Sequence, residues 1–466
     1  DRQTVVATPP RRKTMKKALS LILAGLLLLL SLTGCSQNTK LDPNDPVTLT
    51  MWHVYGSQTE SPLNDSINEF NRTIGKEKGI VINVVSVSSS SAIDEALTAA
   101  AKNTPGVPAL PDLFTAYPRV AEIIGYDNLL NWNDYFTEQE LDAFVGEFIE
   151  EGYFEDKLLM LPVAKSTELL FVNQTLFDKF GSAAGVSTES LSTFEGLFAA
   201  CEKYYDWSDG QDMFQINDFY HYSLTGMAAF GEDFVVNGKL NLESEAFDKV
   251  WEPMAHAGIY GGLCLGDGYA SDRWKTGEVI INIGSTAGIL YLRDYVTYSD
   301  NTTEDIETSI LAYPHFANGN ATVVHRGGGL FALKNEDERK NEAAAVFAKW
   351  LTEKENNLGF VTNAGYLPVT NDAFDYLFDN IETVENEKYR LLYNAVSGMS
   401  DKYTYCEVPV YEGTSDTQSS YEKNVKSVLR AAHEEYLNRV ASGEDPDTVL
   451  NELVSSTLAQ ICSLYN

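Results

Sequence analysis

Between Val47 and Ala116 the hydrophobic period switches repeatedly between strand and helix, which leaves few architectures open. Val47–Trp52 alternates apolar and polar residues as a half-buried strand does. Ser66–Thr73 has helical spacing, and Gly79–Val87 is a nearly continuous β-branched run of the kind that forms a buried strand. Ser91–Lys102 then sets Ile93, Ala96, Leu97, Ala100 and Ala101 on one helical face, and Asp112–Ala116 reads as a short third strand. Parallel strands need a long crossover, usually a helix, so this order predicts an α/β domain with a mostly parallel sheet. Ligands meet such sheets beyond the carboxyl ends of the strands.

Further on, Leu158–Pro162 and Leu169–Asn173 are apolar runs around the polar turn Lys165-Ser166-Thr167-Glu168. A helix is expected over Thr175–Phe180, stopped at Gly181, and Leu191–Phe230 reads as helical and rich in tyrosine and phenylalanine. Val279–Ile283 is a strand leading into Gly284-Ser285-Thr286-Ala287-Gly288 and a helix over Ile289–Tyr295. Strands follow at Ile310–Pro314 and Gly329–Leu333, and a helix at Asn341–Leu351. The carboxyl end is helical, with Val425, Val428, Leu429 and Ala432 in one stripe and Asp447 capping the last helix.

Acidic residues outnumber basic ones 67 to 34, and the net charge of −33 repels a phosphate backbone, which argues against nucleic-acid binding. Met15-Lys16-Lys17, the apolar stretch Ala18–Leu32 and small residues before Cys35 form the pattern of a secretory signal. The apolar stretch falls short of the ~20 residues that span a bilayer comfortably. Leu32-Thr33-Gly34-Cys35 is similar to the lipobox of bacterial lipoproteins, which implies cleavage before Cys35 and a lipid on its thiol. Residues 1–34 are therefore expected to be upstream residues and leader, and 35–46 a lipidated tether. Of the remaining cysteines, Cys201, Cys264, Cys406 and Cys462 allow three disulfide connectivities, and none has CxxC spacing. No Ser-His-Asp order, HExxH or Gly-x-Ser-x-Gly stands out, and the six histidines are scattered, so neither catalysis, metal nor cofactor is expected.

Six segments in fixed order carry a resemblance: Thr48–His53, Asn68–Asn71, Gly152–Pro162 with Thr167–Asn173, Trp274–Ser285, Gly327–Leu333 and Gly365–Thr370. From Val47 to the last helix the chain resembles the extracellular solute-binding proteins of ABC importers, in their carbohydrate-binding branch. The resemblance implies an α/β, two-lobed periplasmic-binding-protein-like fold of type II, with a hinge between the lobes and ligand in the cleft. Lobe 1 is expected at 47–162 plus 308–350 and lobe 2 at 163–307 plus 351–466. The crossings are expected near Leu161–Ser166, Ile306–Pro314 and Leu351–Glu355. It also implies permease subunits as partners, a monomer, and a place on the outer face of the cytoplasmic membrane.

Sugar rings present C–H faces edged with hydroxyls, so a site for them needs aromatic platforms and orienting hydrogen-bond groups. Trp52 and His53 at the end of the first strand and Tyr117 after the third are placed to serve. Likeness to binding proteins for glycerol 3-phosphate and glycerophosphodiesters adds Ser166, Ser285, Gly328 and Tyr366. In this chain Ser285 precedes a helix expected from Ile289, whose free N–H groups favour an anion, and the glycine run admits a close oxygen. The chain departs from that group at Tyr117-Pro118-Arg119, where the group has an acidic residue. It departs again at Asp401–Gly413, which holds Lys402 but no arginine. Arg326 is the alternative cation. The expected ligand is thus an uncharged sugar, oligosaccharide or polyol derivative. A glycerophosphate ligand is second, and a secreted carbohydrate-active enzyme third.

Overall fold

The computed structural model describes residues 41–55, 61–87, 90–411 and 413–466. Cys35 and the expected leader lie outside the described residues. Sheet strands are numbered in chain order.

β1 (Val47–His53), β2 (Ile80–Val87) and β3 (Leu113–Ala116) are parallel neighbours in the order β2-β1-β3. The helix Pro62–Arg72 between β1 and β2 starts where the Ser61 side chain accepts from the Asn64 N–H, with proline in its first turn. Period-two alternation distributes apolar side chains to both faces of this sheet. Leu49, Met51 and Leu113 enter a core with Phe70, Phe347 and Leu351. Trp52 and Phe114 enter a second core beneath Ile93 and Leu97 of the helix Ser90–Ala101.

The chain leaves this lobe over residues 161–166, where Leu161 bridges to Leu330 and Lys165 to Leu367. β4 (Ser166–Asn173), buried along its whole length, is the centre of the second sheet. β5 (Phe214–Ile216), β6 (Ile281–Ser285), β7 (Thr308–Leu311) and β8 (Thr322–Arg326) join it. β9 (Gly329–Ala332) returns antiparallel to β3, and β10 (Thr404–Cys406) edges the second sheet. The orders are β9-β3-β1-β2 and β10-β8-β4-β6-β5, with β7 also paired to β4. The helices Glu245–Tyr260, Thr414–Ala441 and Pro446–Ser463 pack together over one large core that includes Trp251, Tyr421 and Leu429. Two α/β lobes result, the type II architecture expected from the sequence.

Two expected boundaries are corrected. β7 and β8 both pair with β4, so 308–326 belongs to the second lobe and the return crossing is at Gly327–Gly328. The helix Lys354–Val361 buries Phe360 and Val361 in the first-lobe core, as does Val369 beyond it. Leu377 lies in the second-lobe core, so the last crossing falls near residue 370, not at 351–355. β8 sets two valines among a threonine, a histidine and an arginine, a mixed pattern that hides its place between β10 and β4.

Three local expectations change too. The helix Gln174–Ala184 runs through Gly181 and ends at Gly185 in the left-handed conformation. Gly181 is needed because a Cβ there would meet the Val186 carbonyl oxygen at 2.5 Å. β5 interrupts the long helical stretch, between the helices Phe194–Trp207 and Phe219–Ala229. The helix expected over Ile289–Tyr295 is a 3-10 turn, Thr286–Tyr291, followed by a short strand. Cys201, Cys264, Cys406 and Cys462 are unbridged.

Candidate functional site

A cavity of about 1100 Å³ lies between the lobes, bounded by strand ends and crossing segments from both. Its most frequent wall residue is tyrosine: Tyr55, Tyr117, Tyr126, Tyr153, Tyr269, Tyr291 and Tyr366 all border it. Tyr55 and Tyr366 meet edge to face, with ring centres 5.0 Å apart, at the base. Tyr126 packs against Phe154 at 5.3 Å on the first lobe, while Tyr269 and Tyr291 stand exposed on the second.

β1 delivers Tyr55 to this wall through His53. The His53 ring is fully buried; its Nδ1 accepts from the Tyr55 backbone N–H at 3.2 Å, and its Nε2 lies 2.8 Å from Asn64 Oδ1. Burial lowers its pKa to about 4, so it is neutral, with the proton on Nε2 facing Asn64. His53 therefore shapes the turn that carries Tyr55 and does not border the cavity. Trp52 also turns away, 5% exposed in the core against Ile93 and Leu97. Both are corrections to the sequence reading. A register shift between Met51 and Trp52 accompanies the change of face.

Tyr117, Ser166, Ser285, Arg326, Gly328 and Tyr366 do border one cavity. Ser285 caps the 3-10 turn, its Oγ accepting from the Ala287 N–H at 3.2 Å, and its hydroxyl proton remains to be donated. A six-residue turn offers no aligned helix end, so the expected anion preference there loses its basis. The glycine run has a different reason than expected. A Cβ at Gly328 would lie 2.1 Å from the Ala116 carbonyl oxygen, and one at Gly329 2.5 Å from the Met160 side chain. These glycines let the return crossing pass against β3 and the outgoing crossing.

Arg119, Lys275 and Arg326 on the walls are each paired with a carboxylate. Arg326 Nη1 donates to Glu168 Oε1 at 2.8 Å, and Nη2 lies 4.0 Å from Asp218. Burial opposes the Arg326 charge, but Tyr117, Glu168 and Asp218 around it hold the guanidinium charged more firmly than usual. Burial likewise favours neutral Asp218, yet His221 and Arg326 outweigh it and hold the carboxyl below its ordinary value. Asp218 also caps the helix Phe219–Ala229, accepting from the His221 N–H at 2.9 Å. On the first lobe Arg119 pairs with Asp94 and lies over the Tyr117 ring at 5.1 Å. Lys275 bonds Asp272 at 2.8 Å. Beneath the floor, Lys165 is fully buried and bonded to Glu151, joining the start of the second lobe to the first.

Sequence reasoning missed Tyr55, Tyr126, Tyr153, Tyr269 and Tyr291 among these walls. Tyr55 had a signal, since it lies just past the first strand. Tyr269, in Gly266-Asp267-Gly268-Tyr269, had only its place in a turn.

Similar structures share this architecture at low identity. The cyclic α-maltosyl-1,6-maltose binding protein from Arthrobacter globiformis is 17% identical, with TM-score 0.61, over 89% of this chain and 99% of that one. Maltose-bound MalE3 of T. maritima is 15% identical, with TM-score 0.64, over 88% and 98%. UgpB from Mycobacterium tuberculosis, in complex with glycerophosphocholine, is 16% identical, with TM-score 0.63, over 90% and 98%. Among curated proteins none matches this sequence. The profile of the bacterial extracellular solute-binding proteins matches residues 66–388, well over half of the sequence, and the chain belongs to that family.

Proposed function

We infer that the protein is the lipid-anchored receptor of an ABC importer, capturing an uncharged oligosaccharide or related polyol and delivering it to membrane permease subunits. The observation that carries this reading is the wall of the cavity: seven tyrosines, with Arg119, Arg326 and Lys275 each already paired to a carboxylate. A phosphate needs an uncommitted cation or an aligned set of N–H groups, whereas a sugar needs flat faces and hydroxyl partners. The volume lies just above the usual range of small-molecule sites, about 300–1,000 Å³, and so favours several rings over one. Proteins named for maltose, cyclic maltosyl-maltose and maltotriose share the fold, which agrees with this choice.

Tyr117, Ser166, Ser285, Arg326 and Tyr366 make the contacts in this reading. Ligand touching both lobes favours the closed state, because only there are all contacts made at once. Cleavage before Cys35 and lipidation hold the receptor beside its transporter, with the cleft outside the cell. A thermal-shift panel of neutral oligosaccharides, polyols and glycerophosphodiesters tests it. A bound ligand at 100 times its Kd adds ~2.7 kcal/mol of apparent stability. Shifts with the oligosaccharides support the reading. A shift confined to glycerophosphodiesters, or turnover of the sugar, sinks it.

A further inference from the structure

Nine buried side-chain polar atoms lack a hydrogen-bond partner among the described residues, and two of their residues border the cavity: Asp94 and Asn282. They stand in different lobes. Asp94, on the helix Ser90–Ala101, is 8% exposed; one carboxylate oxygen pairs with Arg119 and the other, Oδ1, has no donor. Asn282, in the middle of β6, is 4% exposed, and its Nδ2 has no acceptor.

Neither residue is what packing alone would select. In β6, Ile281 and Ile283 point into the second-lobe core, and alternation turns Asn282 to the opposite face. An apolar side chain would fill that place without an unpaired amide. In the helix, Ile93 and Leu97 serve the core, and Asp94 lies beside them with half of its carboxylate unused. Leaving a buried donor or acceptor unpaired is costly, so a ligand that completes both bonds is selected strongly over one that does not.

We propose that Asp94 and Asn282 are specificity-determining contacts for a neutral polyhydroxylated ligand: Asp94 Oδ1 accepts a hydrogen bond from a ligand hydroxyl, and the Asn282 carboxamide donates to a ligand oxygen. The proposal rests on the oligosaccharide reading above and goes further by assigning one bond to each lobe. A ligand meeting both residues bridges the lobes and stabilises closure. A carboxylate acceptor also rejects a phosphate ester, whose charged oxygens have no hydrogen to donate.

The test uses wild-type protein and two variants, Asn282→Leu and Asp94→Asn, titrated calorimetrically with the neutral oligosaccharide that stabilises the wild type most. Asn282→Leu is expected to raise the melting temperature of the unliganded protein while weakening binding roughly 10-fold or more, since it removes an amide that only ligand satisfies. A merely structural asparagine would lower the melting temperature, and that result overturns its role. Asp94→Asn is expected to weaken binding by a similar factor and to reduce the preference for the sugar over its deoxy analogues. If Asp94→Asn does not fold, Asn282→Leu decides alone. Unchanged affinity in both variants overturns the proposal and leaves the oligosaccharide reading intact. A wild type that binds no neutral oligosaccharide overturns the reading itself, and the proposal with it.

Discussion

The two lobes build their halves of the cavity differently. The first presents side chains from loops just past its strands: Tyr55 after β1, Tyr117 and Arg119 after β3. The second adds side chains from the strands themselves, Ser166 and Phe171 in β4, Asn282 and Ser285 in β6 and Arg326 in β8, beside Tyr269 and Tyr291 from turns. Tyr117 and Arg119 are only half-buried and can change rotamer at modest cost, whereas Tyr55 is buried against Phe360 and Tyr366. A strand side chain is held by cross-strand neighbours and by the core on the opposite face. The first-lobe wall should therefore be the adaptable one and the second-lobe wall the rigid one.

Breaking the ion pair on each wall gives the largest expected effects. Arg326→Leu leaves Glu168, 2% exposed at its side chain, with only His221 near it, and should cost roughly 3–5 kcal/mol in urea unfolding. Arg119→Leu should cost less, because Asp94 can neutralise itself. Burial already pushes the Asp94 carboxyl up to about 6 even with Arg119 beside it. A carboxyl raised in the folded state binds more protons folded than unfolded, so stability falls as pH rises through its folded value. Without Arg119 that value is higher still, and Arg119→Leu should lose more stability at pH 8 than at pH 5. Equal losses for the two arginine variants at both pH values would erase the contrast between the walls.

The next effect separates aromatic residues that face the cavity from those that face a core. Trp52→Phe should lower the melting temperature, yet leave affinity for the proposed oligosaccharide ligand within about twofold, since the indole packs against Ile93 and Leu97. Tyr366→Ala should weaken affinity roughly 10-fold through the lost ring face. Calorimetric titration beside a melting curve distinguishes them. A Trp52→Phe variant with intact stability and poor binding would restore the tryptophan to the cleft.

The same contrast explains what was legible in the sequence. The first lobe announces itself, because its first strand alternates, its second is a nearly continuous apolar run, and a helix with a clear stripe follows. The rule that ligands lie beyond strand ends found Tyr117 and failed for Trp52 and His53, which are still inside β1; two residues further on it would have reached Tyr55. In the second lobe the rule has less to work on. Arg326 and Ser285 were reached by resemblance. Asn282 was overlooked although its signal was present: one amide within the run Val279-Ile280-Ile281-Asn282-Ile283. The tyrosines Tyr269 and Tyr291 come from turns whose place depends on the packing of the whole lobe, which no local pattern encodes.

The smallest effect expected is the pH dependence of binding. A ligand hydroxyl donating to Asp94 favours the ionised carboxylate, so the pKa in the complex falls below its value near 6 in the free protein. Affinity should then decline as pH drops from 7 through 6 to 5, by no more than tenfold per unit for a single proton. His53 and His325, held near 4 and 3 by burial, stay neutral across that window and do not add to the slope. The slope should be absent in Asp94→Asn and preserved in Asn282→Leu, because of the two proposed contacts only Asp94 carries an ionisable group. A slope that survives in Asp94→Asn would place the titrating group elsewhere and remove the proton-sensitive role from the first-lobe wall.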